Sequence, residues 1–161
     1  MVFNPIGVED RLMLDSTKIH RYIHGGKGEV TLVNPNSMNC HTYAFSAPSD
    51  PKSFPPGTIF IYAIHEGHRM YLGMLDGPRV RLTRKSTFGD NTDIVKGARY
   101  IVAMANRQDL VDKQQMKLYH CGRCALCGRR LRGMRSIKRG MGSKCMKYYN
   151  EELTKVPWDG N

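Results

Sequence analysis

Residues 120–145, HCGRCALCGRRLRGMRSIKRGMGSKC, hold four of the five cysteines of the chain and its densest run of arginine and lysine. Cys124 and Cys127 stand two residues apart and are followed by Gly128 and Arg129. Two thiolates on one tight turn, with a glycine free to take positive φ so that backbone amides point at sulfur, form the knuckle of a zinc site. A closed tetrahedral site needs four ligands. Cys145 is the third, returned by the Gly140-x-Gly142 segment. The fourth comes from His120 or Cys121, both of which precede the knuckle and reach it by spacing. The residues therefore leave two coordination sets, one imidazole with three thiolates or four thiolates.

Five cysteines cannot all pair, and neither a signal peptide nor a transmembrane run is recognisable, so a reducing compartment and no membrane are expected. One structural Zn2+ is the expected cofactor. A catalytic ion keeps one position open beside an acid or base. Here no Asp or Glu lies between Asp112 and Glu151, and the chain is read as a binding protein rather than an enzyme.

The same absence locates the charge. Between 113 and 150 there are 11 Lys or Arg and no acids, while the rest of the chain holds 14 of each sign, so the whole net charge of +11 belongs to this segment. Zinc-bound thiolates offset only one or two units of it. An unneutralised cluster on a small metal-stapled module repels itself unless an anionic partner is present, and nucleic acid is the expected partner.

The pattern His120-x3-Cys124-x2-Cys127-Gly-Arg-x-Leu131, followed by Ser136-Ile137-x2-Gly140-x-Gly142-x2-Cys145, resembles a small zinc-ribbon-like domain of unknown function recurrent in bacteriophage proteins. That resemblance implies His120, Cys124, Cys127 and Cys145 as the ligand set, with Cys121 as the alternative to His120. It also implies a phage protein acting in the cytoplasm of the infected bacterium. The chain departs from the pattern through Cys121, and through Arg132, Gly133, Met134 and Arg135, where the domain often carries a Thr-x-Pro-Glu type linker. The stretches 23–45, 60–75 and 81–86 are similar in order and character to the amino-terminal region of the same proteins, so the likeness runs over roughly residues 20–147.

Ahead of the module, 1–8 reads as an irregular lead-in. Residues 9–23 fit a short helix imperfectly, with Asp15 or Ser16 able to cap a second start. Strands are expected at 29–33 and 41–46 around the Asn34-Pro35-Asn36 turn, and the four prolines of 47–57 make a loop. Strands at 58–64, 69–75 and 79–83, joined at Glu66-Gly67 and Asp76-Gly77, form an antiparallel meander. Its last strand alternates Arg79 and Arg81 against Val80 and Leu82, which puts bases opposite the core, and Arg84 and Lys85 extend that end. A helix follows Gly89, capped by Asp90 or Thr92, with Ile94, Val95, Ala98, Ile101, Val102 and Ala105 on one stripe. A last extended segment, 115–119, then carries the chain into the knuckle.

The expected fold class is α+β: an antiparallel β-meander sheet with one main packed helix, plus a small carboxy-terminal zinc-ribbon or zinc-knuckle module. The divisions are 1–112 for the sheet and helix, 113–150 for the basic module and 151–161 for a tail, with Trp158 a candidate anchor. Phosphate contacts are assigned to Arg129, Arg130, Arg132, Arg135, Lys138, Arg139 and Lys144, with Arg79, Arg81, Arg84 and Lys85 added by the meander. Tyr62, Tyr71 and Phe88 are candidate stacking platforms. A basic sheet with aromatics suits single-stranded DNA or RNA, whereas a duplex suits a recognition helix, and none is evident. The alternative is a phage adaptor or inhibitor whose basic face docks on an acidic host protein of transcription, replication or defence.

Overall fold

Alternating polar and apolar residues become six strands: Lys27–Val33 (β1), Cys40–Ser46 (β2), Phe60–His65 (β3), His68–Asp76 (β4), Arg79–Arg81 (β5) and Lys117–His120 (β6). In the computed structural model, which describes residues 9–147, they pair into one antiparallel sheet in the order β5-β4-β3-β2-β1-β6. Among the described residues it is accompanied by the α-helices Ser16–Ile23 (α1), Asp93–Asn106 (α2), Gln108–Lys113 (α3) and Met134–Arg139 (α4), with a further helical stretch at 143–147. The chain is α+β, with a six-stranded antiparallel sheet, one main helix and a cysteine cluster after the last strand.

The starts of α1 and α2 are set by side-chain caps that satisfy otherwise unpaired amides. Asp15 accepts from the N–H groups of Thr17 and Lys18 at 2.8 and 3.1 Å and so begins α1. Thr92 begins α2 by accepting from Val95 N–H at 3.4 Å. The α2 stripe of Val95, Ala98, Ile101, Val102 and Ala105 is buried against a sheet face carrying Val30, Leu32, Tyr43, Phe45, Ile61 and Leu72. Each Val, Leu, Ile or Phe among them stabilises the fold by about 1.5–3 kcal/mol when fully buried. The Tyr43 hydroxyl donates to the Ile94 carbonyl at 2.6 Å beneath Gly97, where a Cβ would fall 2.3 Å from that oxygen. A glycine inside the helix is thereby required by close approach.

The extended segment expected at 115–119 is the paired strand Lys117–His120, with Val30 opposite His120 and Leu32 opposite Leu118. One element differs from the sequence reading. The meander's last strand stops at Arg81, because Thr83 N–H bonds the Ser86 hydroxyl at 2.8 Å and turns the chain. The expectations for 1–8, for 148–150 and for the tail with Trp158 lie outside the described residues.

The sheet has two unlike faces. Ile61 and Ala63 point into the core, so their strand neighbours Phe60 and Tyr62 point the opposite way, as does Tyr71, which pairs with Tyr62. Near β1 and β6 this second face is covered by Leu12 and Met38, packed on Val33, Cys40 and Tyr119. Among the described residues no helix is long and apolar enough to cross a membrane.

Candidate metal centre and the basic surface around it

The knuckle is built by backbone bonds. Gly128 N–H closes the turn on the Cys124 carbonyl at 2.9 Å, and Gly128 has the expected positive φ of 78°. Cys124 N–H bonds the Arg129 carbonyl at 2.8 Å, which folds the turn into a small hairpin. The returning wall begins at α4, whose C-cap Gly140 lies in the left-handed region at φ 76°. The Gly140 carbonyl accepts from Ala125 N–H at 3.0 Å and locks this wall to the knuckle. Residues 143–147 are helical and carry Cys145 back.

The result is a three-thiol cluster: the Sγ atoms of Cys124, Cys127 and Cys145 all lie within 4.8 Å of one another. Burial pushes the Cys124 thiol up, but N–H groups of Cys127, Gly142 and Leu126 outweigh it and hold the thiol below its ordinary value. Gly142 N–H sits 3.4 Å from that sulfur. Cys145 is pushed up to about 12 by burial and by the neighbouring Cys127 and Cys124 thiols. Three sulfurs that resist sharing negative charge in so small a space fit a soft divalent cation, which replaces their repulsion with attraction.

His120 is not brought into this group. Gly122 N–H donates to its Nδ1 at 3.0 Å, which leaves the proton on Nε2, and that nitrogen donates to the Ile137 carbonyl. Both nitrogens of the histidine read as the fourth ligand are thus occupied by backbone, and the imidazole brackets β6 to α4. It is 3% exposed, and burial lowers its affinity for a proton. Cys121 turns away as well: its Sγ lies 3.6 Å from the Tyr22 hydroxyl, and its N–H bonds the Glu29 carbonyl at 3.0 Å. Replacing Cys121 with Ser is expected to leave the bound metal per chain unchanged. Elemental analysis of purified protein checks this, and a fall would put the Cys121 sulfur among the ligands.

Residues 119–149 match a family of unknown function, DUF6011. The matched stretch takes in His120, the knuckle, α4 and Cys145, that is, the whole cysteine cluster. No curated protein and no solved structure matches the chain.

Around the thiols lies a cup of about 350 Å³ whose rim carries Arg129, Arg130, Arg132 and Lys144, with the Ser136 and Ser143 hydroxyls beside them. Arg135 and Lys138 are exposed on α4 outside the cup. Arg139 is half-buried, and its guanidinium is 3.4 Å from Ser136 Oγ and 3.3 Å from Ser143 Oγ, so it braces the returning wall. Arg79, Arg81, Arg84 and Lys85 are exposed at the far edge of the sheet. Of the three aromatic platforms read from the sequence, Tyr62 and Tyr71 lie, partly exposed, on the sheet face turned away from the core. Phe88 does not: it lines an apolar cleft with Ala63, Met70 and Ile94 on the helix side. Sequence reasoning missed Arg69, whose guanidinium carbon lies 5.6 Å from the Tyr62 ring centroid. The signal was present in the facing alternations Phe60-x-Tyr62 and Arg69-x-Tyr71.

Proposed function

We propose that the protein binds nucleic acid rather than catalysing a reaction, through a carboxy-terminal module held by one structural Zn2+. The observation that carries this reading is the cup itself: four cationic side chains converge on the cysteine cluster, in a segment without a single acid. Zinc is the favoured ion because thiolates are its preferred soft donors, two here on the knuckle and a third on the returning wall. Three thiolates leave a Zn2+ centre with about one negative charge, far too little to neutralise the surrounding bases. The side chains at the cup are guanidinium, ammonium and hydroxyl groups, which grip phosphate oxygens. The resemblance to phage domains supports action in the cytoplasm of an infected bacterium.

The test is fluorescence anisotropy of labelled single-stranded DNA, duplex DNA and RNA against the metal-loaded protein at graded salt. Binding should weaken steeply as salt rises, with single strands preferred. Replacing Arg129 and Arg132 together with Ala should lower the logarithmic salt slope by about 1.4, roughly 0.7 for each phosphate left unneutralised on a single strand. Metal content should not change. A loss of metal would mean that these arginines serve the fold, and no binding at low salt would overturn the reading and leave an acidic host protein as the partner to seek.

A further inference from the structure

The sheet face turned away from the helices carries four aromatic rings in contact. Phe54 and Phe60 have centroids 5.1 Å apart, Phe60 and Tyr71 6.1 Å, and Tyr62 and Tyr71 5.8 Å, all edge to face. These rings and Lys85 line one shallow pocket, and Phe54 is 40% exposed. Aromatic side chains usually end in a core, because each has a large apolar area to remove from water. Here they stand, partly exposed, on a face over which no described helix packs, interleaved with cations: Lys85 at the pocket and Arg69 over Tyr62.

Arg69 also leads away from the rings. It donates to Ser46 Oγ at 3.1 Å, and with Ser46 it lines a cleft of about 550 Å³ that Lys27, Arg123 and Gly128 also line. Glu29 is the one acid on this cleft. Arg123 is bridged across the knuckle hairpin to Arg130, which stands on the rim of the thiol cup. Rings, cleft and cup are therefore consecutive stations, each joined to the next by an arginine.

We propose that the aromatic sheet face is a base-stacking platform for single-stranded nucleic acid, continuous through the Arg69–Arg123 cleft with the basic cup of the cysteine module. The proposal rests on the nucleic-acid reading above and adds a site for the bases. Stacked bases need ring faces or guanidinium planes, and the strand between them needs positive charge at intervals; the face and the cleft offer both. Duplex is excluded from the platform, because its bases are already stacked on one another. An apolar protein partner would find cations where it needs oil.

The experiment compares an oligothymidylate with an abasic strand of equal length and charge, both labelled, against the metal-loaded full chain. The base-bearing strand should bind about tenfold more tightly for each stacked base, since a stack contributes about 1.4 kcal/mol. Phe54→Ala, at an exposed position, and Tyr62→Leu, which keeps an apolar side chain there, should together erase that advantage while binding the abasic strand as the unchanged protein does. Arg69→Gln should weaken both strands. Equal affinity of the unchanged protein for the two strands, with steep salt dependence, overturns the platform and leaves the phosphate reading standing. Failure to bind either strand at low salt overturns both.

Discussion

Cys127→Ser is expected to abolish metal binding and to destabilise the whole chain. A structural zinc ion contributes its binding energy as folding energy, about 10–16 kcal/mol in small zinc modules at neutral pH. Natural domains hold only about 5–15 kcal/mol of net stability, so a loss of even part of that contribution is decisive. The damage should spread, because the module shares its core with the sheet. Cys124, Ala125, Leu131 and Met141 belong to the same buried cluster as Ile23, Val30 and Leu118. Lys27 N–H bonds the Ala125 carbonyl at 2.7 Å at the head of β1, and a Cβ on Gly25 would fall 2.7 Å from the same oxygen. Metal per chain by elemental analysis, and thermal unfolding with and without chelator, give the readout. The unchanged protein should unfold at a lower temperature on chelation, and Cys127→Ser should resemble the chelated state from the start. If Cys127→Ser keeps a full equivalent of metal, the cluster is not the site.

What could be read from the sequence and what could not divide along a physical line. The knuckle was legible because its chemistry is local: two thiols, a glycine and a short turn specify one another within five residues. The helix caps were legible for the same reason, although only the structure chooses Asp15 over Ser16 and Thr92 over Asp90. The extended run into the knuckle was legible too, but its pairing with β1, far away in the chain, was not. The role of His120 was hidden too. Spacing makes it a ligand candidate, but its surroundings are set by Gly122 and by Ile137 on α4, whose position depends on how the module packs. The aromatic face needed the pairing of β3 with β4, which puts Tyr62 against Tyr71 and Arg69 across from Ile64. Residue type identified the candidates, and register decided which of them meet.

Tyr22 should prove to be the residue that ties the module to the rest of the protein. It is 1% exposed on α1 and meets three parts of the structure at once. Its ring packs 5.4 Å from the His120 ring and fills the space over Gly140, where a Cβ would fall 2.6 Å from Cδ2. Its hydroxyl lies 3.1 Å from the Arg123 carbonyl, 3.3 Å from the Glu29 carbonyl and 3.6 Å from Cys121 Sγ. Burial, then the neighbouring Cys121, raise the phenol well above its ordinary value, so it stays protonated and keeps donating. Tyr22→Ala should cost about 3–5 kcal/mol as an aromatic cavity, and Tyr22→Phe about 1–3 kcal/mol by taking the hydroxyl donor from the Arg123 carbonyl, while the Glu29 carbonyl keeps the Cys121 N–H. A core truncation away from the module, Ile61→Ala, should cost about 2–5 kcal/mol and supplies the control. The discriminating measurement is the rate of metal transfer to a chromogenic chelator, at a temperature where every variant is folded. Tyr22→Ala should release metal much faster than the unchanged protein, Tyr22→Phe at an intermediate rate, and Ile61→Ala no faster at all. Equal release from Tyr22→Ala and Ile61→Ala would reduce Tyr22 to one more core side chain, because global stability alone would then set the hold on the metal.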